Sequence, residues 1–201
     1  MKKYKITRPI GLFLFTYIML STKERLIETA AKLIRKKGYF GTGINEVLKE
    51  VGVPKGSLYH HFPNGKDGLI QAAIVHGGEV QMSKYGDALR GKEAAEGLNA
   101  MIDVMINDLL ESDFEDACPI TAVAVAASTM SKEIQQACHE IFEAWQDGLA
   151  GYLKRRGVKG AQEKANQLYV MFEGAFVLSQ AHRDVVHLEN QKKFIAIILN
   201  S

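Results

Sequence analysis

Residues 53–69, with the sequence VPKGSLYHHFPNGKDGL, bring basic, hydroxyl and aromatic side chains together within a few positions. Such groups hydrogen-bond to phosphate oxygens and to the edges of bases, so this stretch could bind a nucleic acid. Solvated surface lysines are the alternative for the two lysines, and His61 is expected to pack inside the domain. The candidate contacts are Lys55, Gly56, Ser57, Tyr59, His60 and Lys66, among which the glycine would allow a close approach.

Signatures of other chemistries do not occur in the sequence. His60 and His61 would diverge by about 100° on a helix, and no further ligand follows at a metal-binding spacing. There is no His-Glu-x-x-His, no Gly-x-Ser-x-Gly and no phosphate-binding loop. Cys118 and Cys138 form neither a disulfide framework nor a Cys-x-x-Cys motif, which favours reduced, buried thiols in a cytoplasmic protein. We therefore expect no metal, no cofactor and no enzymatic activity.

Three short helices are predicted to position the candidate contacts. Ser21 opens a Ser-x-x-Glu capping box, and apolar residues at helical spacing continue from Thr22 to Lys37, where Gly38 ends the run. Thr42 is expected to cap a second helix, which ends at Val51.

A glycine turn joins the second helix to a third. Gly52 supplies the turn, and Pro54 suits the first position of a helix that continues to about Phe62. Leu58 and Phe62, four residues apart, would anchor this helix on the other two. The outward polar face then belongs to a helix-turn-helix arrangement, in which the second of the paired helices enters the major groove of DNA.

The stretch GYFGTGINEVLKEVGVPKGSLYHHFPNGKDGL, residues 38–69, resembles the N-terminal domain of the TetR family of bacterial transcriptional repressors. The Gly-Tyr…Thr start, the Gly-Val turn and the Leu-Tyr-His-His-Phe end match that family in order and spacing. The Pro-Asn-Gly-Lys junction, with Cys118-Pro119 and Trp145, resembles the LmrA/YxaF-like branch. The resemblance implies DNA contacts at Thr42, Lys55, Tyr59, His60 and Lys66.

Charge is distributed unevenly along a chain whose net charge is only +2. Residues 21–66 hold nine Lys or Arg against four Asp or Glu, whereas residues 67–201 hold twelve against nineteen. A basic front segment followed by a mildly acidic remainder indicates that the front segment binds a polyanion. This distribution agrees with an N-terminal DNA-binding domain.

Helices are predicted throughout the C-terminal part, at about residues 98–112, 132–156, 161–182 and 188–199. The helix at 161–182 is apolar nearly all round between Leu168 and Leu178, so it must bury two faces. The resemblance implies that it packs with the last helix in a four-helix bundle between two subunits, and a two-fold related operator requires such a dimer. Candidate interface residues are Gly174, Ala175, Phe194 and Ile198.

The same resemblance implies that a small effector binds in the C-terminal core and releases the DNA. Aromatic and flexible side chains there would accept a flat apolar ligand, with ordinary core packing as the alternative for each. Glu173 needs a partner in its apolar surroundings, so three roles stay open for it: a polar group of the pocket, an interface ion pair or a water-facing side chain. The candidate pocket residues are Met101, Met105, Trp145, Met171, Phe172 and Phe176.

The first twenty residues, MKKYKITRPIGLFLFTYIML, have a basic start and an apolar run from Ile10 to Leu20. The pattern is similar to a signal peptide, but no small-residue cleavage site follows. The apolar run is also about half as long as a membrane span requires. Three interpretations stay open: an extension ahead of a natural start at Met19, a helix packed on the domain, and a weak membrane contact. No stable membrane association is expected.

The sequence therefore predicts an all-α protein with three parts: an N-terminal extension at 1–20, a three-helix, helix-turn-helix DNA-binding domain at 21–66, and a larger helical effector-binding and dimerisation domain at 67–201. The expected function is that of a cytoplasmic, homodimeric transcriptional regulator, a repressor by resemblance. It would bind a palindromic operator in double-stranded DNA and be released by a small apolar or aromatic effector. The alternatives are a helical small-molecule-binding protein or an enzyme without a DNA role, and a membrane-associated sensor anchored by residues 10–20.

Overall fold

The residues described by the computed structural model, 20–127 and 131–201, form helices and no strand. The predicted all-α class is therefore confirmed, and the expectations about residues 1–19 lie outside the described ranges. The helices at 132–156 and 161–182 were predicted to within one residue at each end. The helices are α1 (Thr22–Gly41), α2 (Ile44–Val51), α3 (Lys55–His61), α4 (Gly65–Leu89), α5 (Ala94–Glu111), α6 (Thr121–Ala127), α7 (Lys132–Arg155), α8 (Ala161–His182) and α9 (Val186–Asn200).

Helix α1 begins with the predicted capping box. The Glu24 N–H donates to Ser21 Oγ at 3.3 Å, and the Ser21 N–H donates to Glu24 Oε2 at 2.8 Å. Gly38, at φ +66°, interrupts the helix without ending it, because a short last turn continues to Gly41. A Cβ at Gly38 would lie 3.3 Å from the Ala122 carbonyl oxygen, so the glycine also allows a close approach between α1 and α6.

The turn between α2 and α3 is closed by a left-handed glycine. Gly52 has φ +76°, and its N–H and that of Val53 both donate to the Leu48 carbonyl oxygen, at 2.9 and 3.1 Å. Leu58 and Phe62 are buried, as predicted, in the same apolar cluster as residues of α1, α2 and α4. The turn and these two anchors together fix the orientation of α3 on the other helices.

Two hydrophobic clusters hold the described helices together. The first joins α1–α4 to α6, to the first half of α7 and to α8, through residues that include Leu26, Leu58, Leu69, Ile120, Ile134, Trp145 and Tyr169. The second joins α5, α7, α8 and α9 through residues that include Leu98, Ile102, Leu153, Leu168, Phe172 and Leu188. The first cluster crosses the expected boundary between residues 66 and 67, which falls in the first turn of α4.

Helix α4 packs on α1, α5 and α7 and so connects the two ends of the molecule. Gly77 and Gly78 permit this packing, because a Cβ at Gly77 would lie 3.2 Å from Pro119 Cβ and one at Gly78 would lie 2.9 Å from Ile141 Cγ2. Trp145 Nε1 donates to the Gly78 carbonyl oxygen at 3.3 Å, which fixes the indole ring against α4.

Candidate nucleic-acid interface and ligand cavities

Helix α3 presents a polar face to solvent. Leu58 in its middle is only 1% exposed, whereas Tyr59 next to it is 53% exposed. No hydrogen bond or ion pair to any residue in the described ranges occupies the Lys55 ammonium. The helix thus collects most of the predicted contacts on one side: Lys55, Gly56, Tyr59 and His60 are exposed and Ser57 is half-buried.

The two histidines at the end of α3 differ in their surroundings. His60 is exposed, whereas His61 is half-buried, and their rings meet edge-on with centroids 4.8 Å apart. His60 is therefore the one with a side chain free to reach a neighbouring molecule.

Lys66 is held at the start of α4 by the end of α1. Its Nζ donates to the Tyr39 carbonyl oxygen at 3.0 Å and lies 4.6 Å from the centroid of the Tyr39 ring. The Tyr39 hydroxyl donates in turn to Asp67 Oδ1 at 2.9 Å, and burial together with this bond raises the pKa of Tyr39. Because an ammonium has three N–H donors, Lys66 keeps two for a phosphate while it ties α4 to α1.

Thr42 does not cap α2, and that prediction is wrong. Its side chain is fully buried, and its Oγ1 donates to the Gly38 carbonyl oxygen at 2.7 Å. Gly43 occupies the N-cap position of α2 instead. The physical reason is the interruption of α1 at Gly38, where the hydroxyl satisfies a carbonyl near the helix end. The hydroxyl is therefore not available to DNA, and the N–H groups at the start of α2 are what this position can offer to a phosphate.

Gly65, at the junction between α3 and α4, needs to be glycine. It has φ +61°, in the left-handed region. A Cβ there would lie 3.4 Å from Cε1 of Tyr59. The junction therefore supports the exposed Tyr59 ring from the protein side.

Phe40 is a candidate that sequence reasoning missed. Its side chain is 69% exposed and meets the Tyr39 ring edge-on, with centroids 5.3 Å apart. It directly follows the residue that holds Lys66, so it lies close to the predicted contacts. An aromatic residue just after the Gly38 break was the available signal.

A cavity of about 360 Å³ lies between α4, α5, α7 and α8. Met101 and Trp145, both predicted pocket residues, line it. The charged residues of its lining are Arg90, Arg155 and Arg156, and we therefore call it the arginine cavity. A concave, mostly apolar site of this size suits a small organic ligand.

A second cavity, of about 490 Å³, lies between α1, α4, α5 and α8. Charges of both signs line it, so we call it the mixed-charge cavity, and the predicted Phe176 belongs to it. Glu173 lines it as well and accepts a hydrogen bond from Thr121 Oγ1, which is the pocket role among the three left open. Burial, and then the neighbouring Glu173 charge, raises the pKa of Cys118 to about 12.

The other predicted pocket residues line neither cavity. Met105 and Phe172 are buried in the second hydrophobic cluster, and Met171 is half-buried against it. Their burial agrees with ordinary core packing, the alternative, and the pocket role of these three residues stays a prediction.

The segment 115–118 connects α1 to the mixed-charge cavity. Arg35 Nε lies 3.0 Å from Asp116 Oδ2, and the Ala117 N–H donates to the Arg35 carbonyl oxygen at 2.9 Å. The next residue, Cys118, lines the cavity. A change in this cavity therefore has a short bonded route to the first helix of the DNA-binding end.

An apolar stripe on α8 and α9 faces solvent in the single chain. Its α8 members are spaced by three and four residues and so share one face of the helix. Two other predicted interface residues contribute little to this stripe, because Ala175 is only 4% exposed and Ile198 is half-buried against the second cluster, so their interface role stays a prediction. The α8–α9 stripe consists of Val170, Gly174, Val177, Leu178, Val186, Phe194 and Ile197.

The part of the chain that the structure describes contains neither a metal-binding cluster nor a membrane-spanning helix. No three His, Cys, Asp or Glu side chains are grouped there as a metal ion would require. No helix within residues 20–127 and 131–201 has the length and apolar character needed to cross a membrane.

Two regions of the chain match known families. Residues 26–73 match the bacterial regulatory proteins of the tetR family, and residues 94–193 match the LmrA/YxaF-like C-terminal domain of transcriptional regulators. The HTH-type transcriptional regulator LmrA of Bacillus subtilis is 31% identical over 161 residues, which are 79% of this chain and 86% of LmrA. The chain belongs to the TetR family. Within it, the chain falls in the LmrA/YxaF-like branch, and YxaF of the same bacterium is 30% identical over 81% of this chain and 87% of YxaF.

Solved structures of TetR-family proteins have the same fold. The reduced form of NemR from Escherichia coli gives a TM-score of 0.78 at 22% identity, covering 87% of this chain and 94% of NemR. A TetR regulatory protein from Rhodobacter sphaeroides gives 0.77 at 21% identity, covering 87% of this chain and 96% of that protein. The chain is thus a DNA-binding transcriptional regulator of the TetR family and not an enzyme.

Proposed function

We propose that this TetR-family regulator is a homodimeric repressor that binds a palindromic operator and leaves it when a small molecule fills its C-terminal domain. The observation that carries the proposal is the exposed face of α3, where polar and aromatic side chains stand on two buried anchors. Its place of action is the cytoplasm, where the operator DNA is.

The side chains of α3 suit a major groove. Lys55 brings a positive charge to a phosphate, and Ser57 and His60 carry groups that hydrogen-bond to base edges. Tyr59 offers a phenol to the sugar–phosphate backbone. Within residues 20–127 and 131–201, no neighbouring group lies within 4 Å of the position that a Cβ of Gly56 would take, so the groove can approach the helix there. Lys66 adds a second phosphate contact from the start of α4.

The α8–α9 stripe supports a two-fold dimer. A contiguous apolar surface on a soluble protein usually marks an interaction site, because its exposure to water is unfavourable. The small Gly174 lies between Val170 and Val177 on α8, which lets a partner helix approach closely. Since a single α3 can contact only a few base pairs, two copies related by a two-fold axis are needed to select one operator.

The two cavities support control by a small molecule. Tyr85 lines both of them, so a ligand in the arginine cavity would contact a side chain that also lines the mixed-charge cavity together with Cys118. Cys118 directly follows Asp116 and Ala117, which are bonded to Arg35 of α1. A shift of Tyr85 on ligand binding would reach α1 by this route and change the orientation of α3.

Selection of operators from random duplex DNA tests the DNA-binding role. Wild-type protein should enrich a palindrome, and Lys55→Ala and Tyr59→Ala should bind it more weakly. Lys55→Ala should also reduce the salt slope of binding by about one, because one phosphate contact is lost. Lys159→Ala, which removes an exposed lysine between α7 and α8, is the matched control and should bind as wild type. No enrichment at low salt by folded protein would refute the proposal and favour a small-molecule-binding protein without a DNA role.

Sedimentation velocity tests the dimer. Val177→Glu places a charge in the α8–α9 stripe and should convert the dimer to monomer. Leu110→Glu, at an exposed apolar position on α5 outside the stripe, is the matched control and should leave the dimer intact. A wild-type protein that sediments as a monomer at micromolar concentration would contradict the assignment of the stripe.

A further inference from the structure

The arginine cavity has one wall made of aromatic rings. Trp145 is its centre, and its ring centroid lies 6.4 Å from that of Tyr85 and 6.2 Å from that of Tyr169, with the planes steeply inclined. The hydrogen bond from Trp145 to Gly78 holds the indole in place before any ligand arrives. A rigid aromatic wall of this kind favours a flat ring as its partner, because offset and edge-on ring contacts add to the burial of apolar area.

The charged part of the cavity is entirely positive. Arg156 Nε donates to the Lys92 carbonyl oxygen at 3.0 Å, and its guanidinium lies 4.3 Å from the centroid of the Tyr152 ring, so this side chain is held in place in the cavity lining. Arg155 is exposed and has no hydrogen bond or ion pair to any residue in the described ranges. Arg90 is paired with Asp87 on the surface, at 2.8 Å. Among the residues that the structure describes, no Asp or Glu lines the cavity, so its charge favours a ligand that supplies the negative partner.

Space in the cavity comes from absent side chains. Gly86 on α4 and Gly148 on α7 both line it, and a Cβ at either would meet nothing within 4 Å. Glycine in the interior of a helix is less stable than alanine by up to about 1 kcal/mol, so neither glycine is explained by helix stability. Both glycines are exposed, so they lie at the mouth of the cavity and their missing side chains leave it open there.

One buried polar atom in the lining lacks a partner. Tyr169 is 7% exposed, and its hydroxyl makes no hydrogen bond to the described residues. Buried hydroxyls in folded proteins are nearly always hydrogen-bonded, so a polar group on a ligand would stabilise the complex if a small shift of the ring brought it to this hydroxyl. The mixed-charge cavity differs, because Arg35 and Lys84 in its lining are already paired with Asp116 and Asp108.

We propose that the arginine cavity binds a planar aromatic carboxylate, with its ring against Trp145 and its carboxylate on Arg155 and Arg156. The inference rests on the proposed function only in taking this cavity as the effector site; binding itself requires no DNA. Bidentate recognition of a carboxylate by a guanidinium is strong and directional, so the charge is a large part of the selectivity. A neutral flat molecule of the same shape would lack that interaction.

Calorimetric titration with 2-naphthoate and with 2-naphthamide tests the ligand class, because the two probes share a ring system and differ in charge. Naphthoate should bind at least about tenfold more tightly than naphthamide, as one charge-assisted contact requires. Arg155→Gln should reduce that preference several-fold and leave the affinity for naphthamide unchanged. Lys154→Gln, which removes the neighbouring charge on α7 outside the cavity lining, is the matched control and should behave as wild type.

A second variant tests the location. Gly148→Leu places a large side chain at the mouth of the cavity, where no described residue lies within 4 Å of the new Cβ, so both probes should lose binding while the melting temperature is unchanged or higher. Equal affinity of the two probes, no binding of either at millimolar concentration, or unchanged binding by Gly148→Leu would each overturn the proposal.

The outcome for the proposed function is read separately, by adding naphthoate to the complex of wild-type protein with its selected operator. Naphthoate that binds as expected without releasing DNA would refute the effector role of the cavity and support its ligand class. An operator complex formed by protein that binds neither probe would refute the ligand class alone.

Discussion

Gly56→Ala should change the affinity for DNA without lowering the stability of the fold. Gly56 lies within α3, so alanine adopts its backbone conformation without strain. No other side chain or distant backbone atom of the described residues lies within 4 Å of the added methyl. Since alanine is the better helix former, the free energy of unfolding should stay the same or rise by about 0.5 kcal/mol. Any loss of function then has to come from the partner and not from the fold.

On DNA the same methyl occupies the space between α3 and the groove. Displacing the helix enough to break one base contact costs about 1–3 kcal/mol, which corresponds to roughly 5- to 150-fold weaker binding. Denaturant unfolding measures the free energy of unfolding, and fluorescence anisotropy with the selected operator at several salt concentrations measures the affinity for DNA. Lys55→Ala serves as the comparison, since it should change the salt slope by about one, whereas Gly56→Ala should lower affinity at every salt concentration. A Gly56→Ala protein that binds the operator with wild-type affinity would refute the docking of this face of α3.

Three further predictions concern stability. Leu58→Ala should lower the free energy of unfolding by about 2–5 kcal/mol and abolish operator binding, because it removes a fully buried anchor of α3. A decrease of less than about 1 kcal/mol, measured by urea unfolding, would contradict this prediction. Ser21→Ala should cost about 0.5–2 kcal/mol through the capping box with Glu24, and an unchanged urea midpoint would argue against that contribution. Burial raises the pKa of Cys118 to about 12 and that of Cys138 to about 11, so the unfolded chain loses these protons at lower pH than the folded one. The contribution of the two thiols to the free energy of unfolding should therefore be fully present below about pH 9 and be lost as the pH rises from 9 to 12. Urea unfolding should show a smaller loss for Cys118→Ala, and a loss identical to that of wild type would refute the raised pKa of Cys118.

Sequence patterns predicted the elements whose signals are local. The capping box at Ser21, the left-handed Gly52 and the apolar spacing of α5 each depend on a few neighbouring residues, and each is found where expected. The anchors Leu58 and Phe62 were recognisable because only they are large and apolar in a polar stretch. A helix-turn-helix is therefore legible from sequence, since short-range rules determine both its turn and its buried face.

Features that depend on packing between distant segments were not predictable in the same way. Met101, Met105, Trp145 and Phe172 all lie on apolar helix faces, and their sequence spacing does not distinguish them. The packing of α5, α7 and α8 places Met101 and Trp145, but not Met105 and Phe172, in the lining of the arginine cavity. The misassignment of Thr42 has a similar origin, because the Gly38 carbonyl that it satisfies is freed by a kink and is not marked in the sequence. Gly148 contributes to the arginine cavity because it has no side chain, and a pattern of apolar residues in the sequence does not indicate such a position.

The first hydrophobic cluster limits how such a regulator can be recombined with others. Leu26 and Leu58 share that cluster with Ile134 and Trp145, so the apolar core continues across residue 66 from the DNA-binding end into the C-terminal part. In a chimaera joined at residue 66, α1–α4 of one protein would pack against C-terminal helices of another, whose side chains differ in shape. Overpacking or voids of this kind lower the free energy of unfolding by several kcal/mol. A functional exchange of operator specificity has to carry the facing side of α7 along with α1–α4. In evolution, the same constraint couples substitutions in the DNA-binding end to compensating substitutions in the sensor.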